Sequence, residues 1–199
     1  MSARVVLLCG PSGSGKTHIA RRSGLPVFRL DDFYKDEDDP TMPFSAALGI
    51  PDWDDVGSWH ADRAVEALVA LCQDGRVEVP TYDIGRSRAV GTSLFECGGA
   101  PAVVAEGVFA AEIVEVCRER GILADAVVLH RARKNFGRRL VRDLAERRKP
   151  PSTLWRRGRL LMRVEPAMVA TATAKGCRPV DAGGLGELLS ALAAQRSDA

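Results

Sequence analysis

A glycine-rich segment near the start of the chain has the residue types and spacing of a phosphate-binding loop. Residues 10–17 have the sequence GPSGSGKT, which satisfies the pattern GxxxxGK[ST]. Glycine lets the backbone wrap closely enough for successive N–H groups to point at phosphate oxygens, and a helix that begins behind the loop directs the positive end of its dipole there. The expected nucleotide contacts are Gly10, Ser12, Gly13, Ser14, Gly15, Lys16 and Thr17. Lys16 is expected to bridge the β and γ phosphates, and the Thr17 hydroxyl to bind Mg²⁺.

A second oxygen ligand for the metal is expected at the end of another buried strand. Residues 103–107 have the sequence VVAEG, so Glu106 directly follows an apolar run and precedes a glycine. Magnesium ions in nucleotide sites take one or two protein carboxylates besides the phosphates. Glu106 is therefore predicted to face Thr17 across the metal, either directly or through a water. A surface glutamate at a strand end is the alternative.

Two aspartates follow a third apolar run and are candidates for acid–base chemistry. Asp31 and Asp32 come directly after residues 26–30, whose end is expected beside the phosphate-binding loop. Aspartate is a weak base, with an ordinary pKa of about 3.9. Phosphoryl transfer, however, needs the attacking hydroxyl positioned more than it needs early deprotonation. Asp31 is therefore predicted to be the catalytic base, and a turn capped or solvated by both carboxylates is the alternative.

The elements that must position these residues alternate between strand and helix. Buried strands are expected at residues 4–9, 26–30, 102–105, 126–129 and 177–180, and helices at 16–22, 61–72, 110–120, 134–148, 153–163 and 185–194. A projecting β-hairpin is expected from residues 77–82 and 89–95. This alternation predicts an α/β fold with a parallel central sheet between helical layers. Without a repeat or a low-complexity linker, one domain over residues 1–199 is expected, with an acceptor-binding insertion at about 31–60 and the hairpin at about 77–96.

Charge is divided unevenly along the chain, although the net charge is only +2. Residues 131–163 carry 13 Lys and Arg against 2 acidic residues, whereas residues 1–130 carry 12 against 20. So many positive charges in a short segment repel one another unless an anion joins them, which predicts a phosphate-rich ligand.

Composition limits the cellular setting. No apolar run approaches the roughly 18 residues that a membrane span requires, so no membrane partner is expected. The five cysteines are odd in number and widely spaced, which predicts free thiols and a cytoplasmic protein rather than disulfides or a zinc site.

Several motifs, taken in order, resemble those of uridine kinases and the related phosphoribulokinase group. They are GPSGSGKT, the DDFY string at 31–34, WD at 53–54, PTYD at 80–83, AEG at 105–107 and RRLVRDLAER at 138–147. The resemblance spans about residues 4–182. It implies a P-loop NTPase fold with a helical lid at about residues 138–152, ATP as phosphate donor with Mg²⁺, and a nucleoside-like small molecule as acceptor. The most expected reaction is transfer of the γ-phosphate to the 5′-hydroxyl of uridine or cytidine.

The resemblance also implies roles around the acceptor. Asp31 again corresponds to the catalytic base, Asp54 holds the ribose hydroxyls, and Tyr82 stacks near the base. Five positions after that tyrosine, where uridine kinases have a base-reading histidine, this chain has Ser87 followed by Arg88. Arg88 is therefore a substrate-binding candidate, and the acceptor candidates extend to pantothenate and sugar-like molecules.

The basic segment supplies the residues implied for the lid. The resemblance places Arg139 at the acceptor, with Arg142 and Arg147 clamping the transferring phosphoryl group. Arg139 and Arg142 are three residues apart on an expected helix, so both guanidinium groups can reach one anion. The prolines at 150–151 should end this helix.

Two functions from other classes remain open. A nucleic-acid-associated ATPase would use the basic segment 131–163 on a phosphate backbone, but Phe136 and Trp155 are the only aromatic residues there to stack bases. A regulatory module would bind ATP without transferring phosphate, which the presence of Asp31 and Glu106 disfavours. No nucleic acid partner is expected, and a homo-oligomer is compatible with the sequence.

Overall fold

The computed structural model describes residues 3–11, 14–46, 49–130 and 166–195. Its strands are β1 (Arg4–Cys9), β2 (Val27–Arg29), β3 (Phe44–Ser45), β4 (Ile50–Pro51), β5 (Arg76–Asp83), β6 (Arg88–Glu96), β7 (Ala102–Glu106), β8 (Leu123–Leu129) and β9 (Arg178–Val180). Its helices are α1 (Lys16–Arg22), α2 (Ala61–Asp74), α3 (Val114–Glu119), α4 (described over residues 166–174) and α5 (Ala182–Ala194).

Five strands form the central sheet in the order β2-β7-β1-β8-β9. Every neighbouring pair in this sheet is parallel, which confirms the predicted parallel sheet. The carboxyl ends of parallel strands lie at one edge, so the segments that follow β1, β2 and β7 meet there. Glu106, the last residue of β7, is in register with Leu8 of β1 on one side and Arg29 of β2 on the other.

Alternate residues of β1 enter two hydrophobic clusters on opposite faces of the sheet. Val5 and Leu7 pack with residues of α2 and α3, whereas Val6 and Leu8 pack with residues of α1 and α5. A strand covered on both faces must be apolar at consecutive positions, which is why residues 5–9 show no polar alternation. The predicted three-layer arrangement is thus confirmed.

Most of the predicted strands and helices are present, although some begin or end at different residues. The helix expected at 110–120 divides into a 3₁₀ turn at Ala110–Ile113 and α3. α4 was not expected from the sequence, and the insertion at 31–60 contains the short antiparallel pair β3 and β4. The helices predicted at 134–148 and 153–163, and the lid, lie outside the described residues.

The predicted hairpin is present and is longer than expected. β5 and β6 pair antiparallel from Arg76 opposite Glu96 to Asp83 opposite Arg88. Phe95 anchors the hairpin on the central sheet, since its ring contacts that of Phe28 at a centroid distance of 5.3 Å. All five cysteines are buried and free, as predicted. Within the described ranges, no helix combines the length and apolar character that crossing a bilayer requires.

Candidate active site

The phosphate-binding segment starts at a glycine that the packing requires. Gly10 has a φ of 141°, and a Cβ there would lie 2.7 Å from the carbonyl oxygen of Leu129 on β8. Gly15 also has a positive φ, 89°, and precedes α1 as its N-cap. The backbone therefore turns sharply at both ends of the loop. The predicted contacts Ser12 and Gly13 lie outside the described residues.

Lys16 ties the start of α1 to the loop. Its ammonium donates hydrogen bonds to the carbonyl oxygens of Gly10, at 2.7 Å, and Pro11, at 3.2 Å. Ser14 is fully buried, and its hydroxyl has no hydrogen-bond partner in the described part of the chain. The loop thus carries a lysine and a hydroxyl next to its glycines, and phosphate oxygens bound there would compete with these carbonyls for Lys16.

Thr17 and Glu106 lie together, although 89 positions separate them in the sequence. The Thr17 hydroxyl donates a hydrogen bond of 3.0 Å to Oε2 of Glu106, which is 8% exposed. A hydroxyl and a carboxylate are the hard oxygen donors that Mg²⁺ takes in nucleotide sites, where phosphates and water supply its other ligands. The residues present therefore fit a magnesium ion bound with a nucleotide.

Asp31 lies beside Glu106 at the same edge of the sheet. It belongs to a 3₁₀ turn, Leu30–Phe33, that follows β2. A Cβ added to Gly107 would come within 3.0 Å of Oδ1 of Asp31 and 2.7 Å of Cβ of Leu30, so this carboxylate lies directly against the residue after Glu106. The indole N–H of Trp59 holds the turn by donating a hydrogen bond of 2.8 Å to the Leu30 carbonyl.

The surrounding protein raises the pKa of Asp31 above its ordinary value. Desolvation is the main cause, while the charges of Lys16 and Arg29 and a hydrogen bond from the Val108 backbone oppose it. Asp31 nevertheless remains exposed, so water and an acceptor can reach it. A carboxylate with a raised pKa is a stronger base, which suits the predicted role of Asp31.

Asp32 has a different environment from Asp31. Its carboxylate lies 3.4 Å from the Arg29 guanidinium, with 13% of the side chain exposed. Burial raises the pKa of Asp32, and a hydrogen bond with the Tyr82 backbone partly opposes that rise. Asp32 is therefore paired with Arg29 of β2, while Asp31 lies against Gly107 on the phosphate-binding side.

Five aromatic rings form a cluster next to Asp31, here called the aromatic cluster. They are Tyr34, Trp53, Trp59, Tyr82 and Phe109. Tyr34 is central, with ring centroids 5.9 Å from Trp53, 6.1 Å from Tyr82 and 5.8 Å from Phe109. Burial raises the pKa of the Tyr34 hydroxyl, and the charges of Asp31 and Asp54 raise it further. The cluster therefore borders both carboxylates predicted to contact the acceptor.

Sequence reasoning assigned no role to Tyr34 or Phe109. The signals were present, because Tyr34 ends the DDFY string and Phe109 comes two residues after Gly107. What the sequence lacked was any sign that the two rings meet.

The remaining predicted acceptor contacts lie around the hairpin. Tyr82 is only 8% exposed, and its hydroxyl donates a hydrogen bond of 2.9 Å to the Lys35 carbonyl. Arg88 forms an exposed ion pair of 3.0 Å with Asp38, and Asp54 is exposed. Tyr82 thus holds the insertion against the hairpin and presents little free ring surface. The predicted lid residues Arg139, Arg142 and Arg147 lie outside the described residues.

A solved structure with a TM-score of 0.56 supports this architecture. No protein-family model matches the sequence, and no curated protein matches it at a significant level. A protein provisionally assigned as a fructose transport system kinase from Silicibacter sp. TM1040 matches with a TM-score of 0.56 and 16% identity, covering 90% of this chain and 89% of its own. A protein provisionally assigned as a uridine kinase from Bacillus stearothermophilus has a TM-score of 0.47 and 18% identity, with 68% and 76% covered. A gluconokinase from Sinorhizobium meliloti 1021 has a TM-score of 0.47 and 16% identity, with 98% and 93% covered.

Proposed function

We propose that this chain, which shares the α/β fold of P-loop kinases, is an ATP-dependent phosphotransferase that phosphorylates a hydroxyl group of a small molecule. One observation carries the proposal: Asp31 lies against Gly107, while the adjacent Glu106 bonds to Thr17 of the phosphate-binding loop. The proposed base, the proposed metal-binding pair and the phosphate-binding loop thus lie at one edge of the sheet. This is the combination that hydroxyl phosphorylation requires.

In the proposed reaction, the acceptor hydroxyl lies between Asp31 and the γ-phosphate. Asp31 orients the hydroxyl and takes its proton as the oxygen bonds to the γ-phosphorus. The bond from that phosphorus to the β–γ bridging oxygen breaks, which yields ADP and a phosphate ester. Lys16 would neutralise charge on the β and γ phosphates, and Thr17 and Glu106 would hold Mg²⁺, which would supply further positive charge there. Arg139, Arg142 and Arg147 remain proposed contacts from the lid.

A pyrimidine nucleoside, uridine or cytidine, is the first acceptor that we propose. The aromatic cluster supports it, since its half-buried rings, Tyr34, Trp53 and Phe109, leave surface on which a base can pack beside Asp31. Asp54 is exposed near Tyr34, where a carboxylate can accept hydrogen bonds from ribose hydroxyls. In this arrangement the 5′-hydroxyl would approach Asp31.

A sugar-like polyol is the second acceptor candidate, and the environment of Tyr82 favours it. The ring predicted to stack on the base is almost fully buried, and its hydroxyl is engaged by Lys35. Ser87 also replaces the base-reading histidine of the uridine kinases. The Silicibacter protein, which is named for fructose, makes that sugar a natural member of the test panel.

An acceptor panel tests the proposal directly. The protein with ATP and Mg²⁺ is incubated with uridine, cytidine, fructose, gluconate, pantothenate or a sugar phosphate, and ADP and the phosphorylated product are measured. Uncharged acceptors are expected to support the highest rates, because Asp31, Asp32 and Asp54 disfavour an anion at the acceptor side. Asp31→Asn should abolish most of the acceptor-dependent ADP, whereas Asp62→Asn, at an exposed position on α2, should not.

Two outcomes would support the competing functions. ADP formed only with a polynucleotide, with binding that weakens steeply as salt rises, would indicate a nucleic-acid-associated ATPase. Tight ATP binding without turnover on any acceptor would indicate a regulatory module. Either result contradicts the proposed kinase activity.

A further inference from the structure

The backbone on both sides of Tyr34 is bonded to the segment that precedes α2. The N–H of Lys35 donates to the Ser58 carbonyl at 2.9 Å, and the N–H of His60 donates to the Phe33 carbonyl at 3.0 Å. These two bonds make residue 34 part of a short antiparallel bridge. The backbone therefore fixes the direction in which the Tyr34 side chain leaves the chain.

Three other rings of the aromatic cluster pack around that of Tyr34. Trp53 comes from the acceptor-binding insertion, Tyr82 from the hairpin and Phe109 from the segment after β7. Their ring centroids lie between 5.8 and 6.1 Å from that of Tyr34. Neighbouring rings in close packing limit the rotation of a side chain. The position of the Tyr34 hydroxyl is therefore determined by this packing.

The hydroxyls of the two tyrosines in this chain differ in their hydrogen bonding. Tyr82 is buried, and its hydroxyl donates to the Lys35 carbonyl at 2.9 Å. Tyr34 is half-buried, and its hydroxyl forms no hydrogen bond within the described part of the chain. A phenol carries one O–H donor and can also accept. Tyr34 therefore offers a fixed hydroxyl to a bound molecule, whereas Tyr82 does not.

The ring of Tyr34 contacts both segments that carry or support the acceptor-side carboxylates. It packs on Phe109, whose neighbour Val108 donates a backbone hydrogen bond to Asp31. It also packs on the tryptophan that directly precedes Asp54. Desolvation raises the pKa of the Tyr34 hydroxyl, and the charges of Asp31 and Asp54 raise it further, so the phenol stays protonated at neutral pH. Ionised carboxylates can only accept hydrogen bonds, so Tyr34 is the donor among these three groups.

We propose that Tyr34 is a specificity-determining residue whose hydroxyl donates a hydrogen bond to a second oxygen of the acceptor, so that the enzyme selects polyols with a further hydroxyl near the one phosphorylated. This inference rests on the proposed function. A hydroxyl can donate to a carboxylate and accept from a phenol at the same time, which matches Asp54 beside Tyr34. An alcohol with a single hydroxyl would pair with Asp31 alone and leave Tyr34 and Asp54 without a partner.

Tyr34→Phe tests the hydroxyl, because it keeps the packed ring. The substrates are the best acceptor of the panel and its mono-deoxy analogues, such as 2′-deoxyuridine and 3′-deoxyuridine for uridine, or 3-deoxyfructose and 4-deoxyfructose for fructose. The wild type should prefer the parent over at least one analogue by about 10-fold or more in kcat/KM. Tyr34→Phe should lower kcat/KM for the parent by about 10-fold and for that analogue by less than about 2-fold. The loss should appear mainly in KM, since the contact is made before and during transfer.

Tyr82→Phe is the matched comparison, because it removes a hydroxyl that is already bonded within the protein. It should lower the melting temperature, and any loss of kcat/KM should be equal for the parent and the analogue. Equal losses in Tyr34→Phe, or a wild type that does not distinguish the parent from any mono-deoxy analogue, would overturn the inference.

Calorimetric titration separates this inference from the proposed function. A wild type that forms no acceptor-dependent ADP would contradict the kinase activity. Uridine, fructose and their deoxy analogues are then titrated into the protein with a non-hydrolysable ATP analogue. Tighter binding of a parent than of its analogue, lost in Tyr34→Phe, would support the role of Tyr34. Equal affinities in both proteins, or no binding of either parent, would overturn it.

Discussion

Gly107→Ala is the substitution that most directly tests the position of Asp31. Gly107 is buried directly after Glu106, and its φ is not positive, so alanine is compatible with the backbone there. The obstacle is steric. The new methyl group would lie 2.7 Å from Cβ of Leu30 and 3.0 Å from Oδ1 of Asp31.

The expected size of the effect follows from these distances. Carbon atoms in favourable contact are about 3.5–4.0 Å apart, so the turn that carries Leu30 and Asp31 must move by about 1 Å. A misplacement of that size can lower turnover by about 10²-fold. Overpacking of a filled site commonly costs about 1–3 kcal/mol, so the protein should remain folded at room temperature. Thr17 is not among the atoms that the new methyl group would meet, so ATP affinity should change much less than turnover.

The assay compares kcat on the best acceptor, the Kd for ATP and the melting temperature. Gly186→Ala is the matched control, since a Cβ at this position in α5 meets no atom within 4 Å. The control should keep full turnover and gain about 0.5–1 kcal/mol, because alanine is favoured over glycine inside a helix. Normal turnover in Gly107→Ala, at normal ATP affinity, would show that the position of Asp31 against Gly107 has no part in the chemistry.

Four further substitutions test the other assigned roles. Asp31→Asn should keep ATP affinity and lower kcat by about 10² or more. In the wild type, the raised pKa of Asp31 should shift the acid limb of the profile of kcat/KM against pH upward, and this limb should disappear in the variant. A retained limb would assign it to another group. Because desolvation disfavours ionised Asp31, the same variant should melt slightly higher than the wild type at neutral pH, and this difference should vanish as the pH falls below the unfolded pKa of about 3.9. Lys16→Ala should weaken ATP binding and turnover together, and unchanged kinetics would refute its role at the phosphates. Thr17→Ala and Glu106→Gln should each raise the Mg²⁺ concentration needed for half-maximal rate. The effect of the double variant should be smaller than the sum of the two single effects, because both residues are proposed to bind the same ion. Additive effects would indicate that the pair does not bind one ion.

The phosphate-binding loop and its partner Glu106 could be predicted because both depend on local rules. The loop is a contiguous pattern between a buried strand and a helix, and β1 and α1 occur with the predicted bounds. Glu106 was predicted from its place at the end of an apolar run, because the carboxyl ends of parallel strands share one edge. The Thr17 to Glu106 hydrogen bond has the predicted placement, while its role with a metal remains a prediction.

The aromatic cluster could not be predicted in the same way. The rings of Tyr34, Trp53 and Phe109 come from three separate segments, and only the packing of the insertion on the sheet brings them together.

The sequence alone determined which chemical groups are available and the order of the strands and helices. Both can be predicted locally, because a motif or an apolar run depends only on residues within one short segment. Only the tertiary structure decided which of two adjacent aspartates faces the phosphate-binding side. Asp31 and Asp32 have the same side chain, and their directions depend on a turn held by Trp59 and on the register of β2 with β7. Contacts between segments far apart in the chain specify that direction, so it is absent from any local pattern.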